Sequence, residues 1–246
     1  MILRRITQHV KEQNWFAVGV DFFIVVVGVF IGIQVANWND SNANHKAYLH
    51  ALERLDNEIS SNLAVINVLE QTIHEEVAVV RAGLDALVTC TASPEGIEKV
   101  NAAIMEAKGT RGLFVRKTAL TELTTNPKLL SEQSNTIRAR FADLQFYHQI
   151  AYEALTRFEP KTLANWPTST LSIQSAETYE GLYFGIEYEV ARYPIVLNVA
   201  MAKACQDLEL QKWLHVWEAW HSNVVIIGSK LRQEYKQTQE LLLRLR

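Results

Sequence analysis

Apolar and polar residues follow one another along this chain with the spacing of helices almost everywhere, and one stretch is apolar all round. Between Trp15 and Trp38 it reads WFAVGVDFFIVVVGVFIGIQVANW. As a helix rising about 1.5 Å per residue, this run covers roughly 33–36 Å, enough to cross a hydrocarbon core near 30 Å. A Trp closes each end, where an indole ring favours the headgroup layer. The pattern predicts a transmembrane helix over 15–38. Cleavage as a signal peptide is not expected, because Asp21 interrupts the run and Gln34-Val35-Ala36 puts a large amide where a small residue is needed.

Past Trp38 the pattern becomes heptad. Leu52, Ile59, Ile66, Ile73, Val80 and Leu87 recur every seventh residue. Leu55 and Leu69 follow members of that series by three, and Leu63, Val77 and Leu84 by four. This is the widened seam of a bundle helix, running from about Ser41 to Val88 with Gly83 as its one weak point. No breaker follows Trp38, so direct continuation from the apolar helix is open. Ser93-Pro94 then reads as an N-cap and first turn, starting a helix that Gly109 ends after Lys108. A basic connector, GTRGLFVRK, occupies 109–117. Helices are expected from about Lys117 to Thr125 and from Pro127 to Phe158. The second carries Ile137, Phe141, Leu144, Tyr147 (or His148), Ala151 and Leu155 on one face, and Glu159-Pro160 is expected to stop it. Pro167 and many Ser/Thr residues make 160–178 an irregular loop.

The closing helix is expected from about Ile195 or Ala204 to Leu245. Leu210, Trp217, Val224, Leu231 and Leu245 repeat at sevens with Thr238 as the polar gap, and Trp213, Trp220, Ile227 and Leu241 take the partner positions. The fold class is therefore all-α: an N-terminal transmembrane helix, then an elongated bundle with two long heptad helices packed antiparallel. That arrangement returns Leu241–Leu243, Arg244 and Arg246 toward the bilayer. It also places Cys90 and Cys205 at the same end of the hairpin, where they form a disulfide or stay as two buried thiols.

A net charge of −3 and 48% apolar residues describe an ordinary folded chain and give no phosphate-neutralising surface, so nucleic acid is excluded as a partner. The flanks of the apolar helix set its direction. Arg4, Arg5 and Lys11 precede it, whereas the fifteen residues after it carry only Lys46. The positive-inside rule keeps residues 1–14 in the cytoplasm and exports 39–246. In residues 1–14, Ile2, Leu3, Ile6 and Val10 oppose the basic residues, as in a short helix lying on an anionic leaflet. Fourteen residues are too few for an output domain.

Candidate chemistry is sparse. Asp21 is an ionisable residue inside the apolar run, which marks it for an interfacial, assembly or pairing role. Gly28 and Gly32 form a GxxxG pair that lets helix backbones approach, with Gln34 a turn further on. Glu218 and His221 form one ExxH pair without the second that a di-iron bundle needs, and Glu70 with His74 does not complete HExxH. No metal, cofactor or catalytic residue is expected, since P-loops, dinucleotide fingerprints and GxSxG are missing from the sequence. Trp213, Trp217 and Trp220 are read first as core and second as an aromatic ligand pocket. Arg111, Arg116 and Lys117 around Gly109 and Gly112 form either a solvated connector or an anion cradle.

The run DFFIVVVGVFIGIQVANWND at 21–40, after an Arg-rich start and Asn14-Trp15, resembles a family of uncharacterised bacterial single-pass inner-membrane proteins. Their anchors end in Asn-Trp-Asn and lead into a helical exported region. The resemblance implies a bacterial inner membrane with the C-terminal region in the periplasm, and it implies no activity. Two functions follow. One is a non-enzymatic interaction protein that assembles with itself or another membrane protein. The alternative is a periplasmic ligand-binding sensor that signals through a partner.

Overall fold

The computed structural model describes residues 15–163, 167, 169–175, 177–183 and 186–245. Its first element, α1, is a single helix of 74 residues, Trp15–Val88, about 110 Å long. It contains no proline, and its glycines stand only at 19, 28, 32 and 83, so nothing inside it stops the hydrogen-bond ladder. The apolar stretch runs straight into the heptad stretch. Up to residue 47 no described residue is buried; Tyr48 is the first. From there all six residues of the sevenfold series are buried, as are Leu55 and Val77.

Helix α2 (Pro94–Ala107) begins where Ser93 Oγ accepts from the Gly96 amide at 3.0 Å and turns back along the far end of α1. The two helices meet at Gly83, where a Cβ would stand 2.3 Å from the Ala103 Cβ and 2.9 Å from the Lys99 carbonyl oxygen. The glycine is therefore a contact point and not a stop. Gly83→Ala should lower stability by about 1–2 kcal/mol, the clash outweighing the helix propensity gained. Chemical denaturation checks this, and an unchanged or raised midpoint would count against the close approach.

After the connector come α3 (Thr118–Thr125), α4 (Pro127–Ser131) and α5 (Asn135–Leu163). The single helix expected over 127–158 is thus two. Gln133 turns inward to donate to the Leu123 carbonyl at 2.8 Å, and Ser134 Oγ accepts from the Ile137 amide at 3.3 Å, starting α5 afresh. Pro160 does not end α5, which continues to Leu163.

Residues 171–197 correct the expected loop and the earlier of the two expected helix starts. Strand β1 (Leu171–Ile173) pairs antiparallel with β4 (Ile195–Leu197), and β2 (Glu177–Tyr183) with β3 (Ile186–Arg192). Leu171 faces Leu197 but Glu177 faces Arg192, so the first arm carries one more residue than the second between the ladders, as at a β-bulge. The segment is rich in Tyr, Ile and Val, which favour a pleated surface. The Leu197 amide donates to Asn101 Oδ1 at 3.0 Å, fixing β4 against α2. These ladders are small beside a chain that is 79% helical, and the fold is all-α.

Helix α6 (Met201–Ala204) leads to α7 (Leu208–Leu245), which Asp207 caps by accepting from the Glu209 and Leu210 amides. Helix α7 runs antiparallel to α1. Glu218 meets Arg81, Tyr235 meets Asn62, and Gln239 meets Asp56 and Ser60. This register sets Leu245 near the level of Leu52, about 20 Å along α1 from Trp38. The end of α7 points toward the apolar segment and stops short of it. Cys90 and Cys205 are joined in a disulfide with their Cα atoms 5.5 Å apart, at the far end of the hairpin.

Candidate functional site

The Trp-rich run of α7 and the basic connector meet, and the meeting is a closed core. Trp213, Trp217 and Trp220 are all buried. Trp217 Nε1 donates to the Gly109 carbonyl at 2.6 Å, and its ring stacks on His221 with centroids 3.7 Å apart. His221 uses both ring nitrogens: Nδ1–H donates to the Trp217 carbonyl at 2.8 Å, while Nε2 accepts from the Arg111 amide at 3.0 Å. Burial pushes the His221 imidazole below its ordinary value. The aromatic pocket considered from the sequence is thus filled by its own side chains.

Glu218 turns away from His221 and takes two bonds from Arg81, at 2.5 and 3.0 Å, so the ExxH pair does not converge. Glu70 pairs with Arg232, and His74 bonds only to the Glu70 carbonyl. Among the described residues no three His, Cys, Asp or Glu side chains are grouped to hold a metal ion.

The anion cradle is occupied from within the chain. Arg111 grips the Glu76 carboxylate, its closest contact 2.5 Å. The Arg116 backbone is pinned at both its amide and its carbonyl by Asn62, at 2.8 Å each. The start of α3 takes the Glu58 carboxylate, which accepts from the Ala119 and Leu120 amides at 2.9 and 3.3 Å. A cleft of about 750 Å³ opens beside Glu75, Glu76, Glu106 and Arg111. Burial, reinforced by the Glu76 charge, raises the Glu106 carboxyl above its usual range.

Sequence reasoning overlooked a buried polar axis. Asn62 Nδ2 also donates to Tyr235 Oη at 3.0 Å, and that hydroxyl bonds His148 Nε2 at 2.9 Å. Beside it, Arg140 reaches from α5 to the Glu234 carboxylate and carbonyl at 2.6 Å and to Thr238 Oγ1 at 2.9 Å. Thr238, the polar gap in the α7 heptads, is where α5 docks. The signal for Asn62 was present: it is the amide seven residues from both Leu55 and Leu69.

The open part of the molecule is the first half of α1. At about 100° per residue, Asp21, Gly28 and Gly32 fall within about 40° of one another. Gln34 falls on the opposite side, so it does not extend the GxxxG face. A Cβ built at Gly28 or Gly32 meets nothing within 4 Å. Trp38 is exposed. The Trp15 side chain, and Arg4, Arg5 and Lys11, lie outside the described residues. Val18–Val88 is the one described helix with a stretch long and apolar enough to cross a membrane.

A family profile matches residues 21–163, more than half of the chain. The chain belongs to DUF6090, a family of unknown function. The DUF6090 match covers α1 from Asp21 through the end of α5, and leaves the two β-ladders, Cys205 and α7 outside it. No curated protein and no solved structure matches the chain.

Proposed function

We infer that this is a non-enzymatic, membrane-anchored interaction protein, held in a bacterial inner membrane by residues 15–38. Residues 1–14 face the cytoplasm and the bundle projects into the periplasm. It assembles with itself or another membrane protein through the anchor. The observation that carries this reading is the contrast within α1. Beyond Tyr48 its apolar seam is covered by the chain's own helices, whereas the face holding Asp21, Gly28 and Gly32 has no neighbour. Small residues there let a second backbone come close, and Asp21 on the same face gives the contact a polar point in an apolar medium.

Light scattering on the intact protein in mild detergent tests it. The wild type should run as a defined oligomer and Gly28→Ile/Gly32→Ile as a monomer. A monomer for both would remove assembly through the anchor, and the periplasmic sensor reading would take its place.

A further inference from the structure

Helix α1 ends in a Schellman turn. The Thr91 amide donates to the Ala86 carbonyl at 3.0 Å and the Cys90 amide to the Leu87 carbonyl at 3.3 Å. The residue between them adopts the left-handed conformation that favours glycine. Here it is Cys90, with φ of 50°, the one described non-glycine residue at positive φ. A side chain is kept at this position against its backbone preference, and that side chain is half of the Cys90–Cys205 bridge. Cys205 stands two residues before Asp207, the cap of α7. The bridge therefore ties the end of α1 to the start of the helix that covers it.

Two further features bear on its lability. Cys90 is exposed and Cys205 half-buried, so a reagent reaches the Cys90 side first. The neighbouring segment is also held by bonds that do not involve the bridge: Leu197 to Asn101, and Thr170 to Asp207 at 2.7 Å. The buried seam from Leu52 to Leu87 lies along the helices and away from the clasp.

We propose that the Cys90–Cys205 disulfide is a redox-operated clasp, opened by a dithiol, that loosens residues 198–207 while the bundle stays folded. A thiolate of the dithiol attacks Cys90 Sγ, and the S–S bond breaks. Cys205 leaves as a thiolate and takes up a proton. The second thiol of the reagent then attacks the mixed disulfide and releases Cys90 as a thiol. The protein disulfide is reduced by two electrons and the dithiol is oxidised to its own disulfide. Cys90 is then free to leave the left-handed region, and the turn ending α1 relaxes.

The test is limited trypsin digestion of the full-length protein in detergent, with and without dithiothreitol, reading cleavage after the exposed Lys203 by mass spectrometry beside helix content by circular dichroism. Reduction should speed cleavage at Lys203 by tenfold or more with helix content unchanged. Cys90→Ser/Cys205→Ser should behave like the reduced wild type without reductant. Cleavage that rises less than twofold overturns the clasp, because the segment is then held without the bridge. Loss of helix on reduction overturns it too, since the bridge would then be a requirement of the fold. So would alkylation of both thiols in the untreated protein.

Discussion

Trp217→Ala is expected to cost about 3–5 kcal/mol, the range for removing a large aromatic from a packed core. Trp217 is 1% exposed and sits where α7, the connector and the His221 ring converge. Three losses add together: the apolar area of the indole, the cavity it leaves, and the donor to the Gly109 carbonyl. The stacked His221 also loses its partner, although its Nδ1 bond is to the residue 217 carbonyl and survives. Trp217→Phe separates these contributions. It keeps most of the volume and removes the N–H, so it should cost about 1–2 kcal/mol. Urea denaturation followed by circular dichroism measures both. If Trp217→Ala unfolds within about 1 kcal/mol of the wild type, the ring is not the hub of the far half of the bundle.

Much of this architecture is legible in the residues because heptads report local geometry. Leu52 through Leu87 and Leu210 through Leu231 repeat with the period of the helices they build, and each buries the face that the repeat selects. Ser93-Pro94 and the glycine after Lys108 work the same way, through neighbours one turn off. The errors lie where a distant partner decides. Gln133 breaks the helix after α4 because the Leu123 carbonyl needs a donor. Ile195–Leu197 is a strand because Asn101 and the β1 backbone hold it there. Nothing within four residues of either position carries that information.

The candidate site divides in the same way. The face with Asp21, Gly28 and Gly32 is a matter of angle around one helix and can be counted off the sequence. The fate of Arg111, Arg116 and the tryptophans depended on Glu76, Asn62 and Gly109, which the chain brings in from other elements. The result concentrates interest at the uncovered end of α1, since the polar groups of the bundle largely answer one another. A bundle closed in this way suits a stiff spacer better than a receptor. The 74-residue helix has no hinge between its apolar part and its heptad part, so a rotation of one is a rotation of the other.

Acid should expose the polar axis of the bundle. His148 lies buried between α5 and α7, and burial, helped by the positive charge of Lys117, lowers its imidazole to about 4. In the unfolded chain an imidazole titrates near 6.5. The folded protein thus binds this proton more weakly than the unfolded chain does. Its contribution is complete above about pH 6.5 and is lost as the pH falls toward 4, by about 3 kcal/mol between pH 7 and pH 4. Asp207 and Glu234 act in the same direction at lower pH. Both carboxyls are held below their ordinary values by hydrogen bonds that outweigh the effect of burial, so protonating them also costs stability. Comparison with His148→Phe separates the histidine from the carboxylates. The variant loses the Nε2 acceptor of Tyr235 but keeps the Asn62 bond to that hydroxyl, so it should be weaker at pH 7 and lose far less between pH 7 and pH 5. Denaturation midpoints at pH 7, 6, 5 and 4 for both proteins give the answer. Parallel curves would mean that the proton enters elsewhere, and that the axis through Asn62, Tyr235 and His148 tolerates a charge.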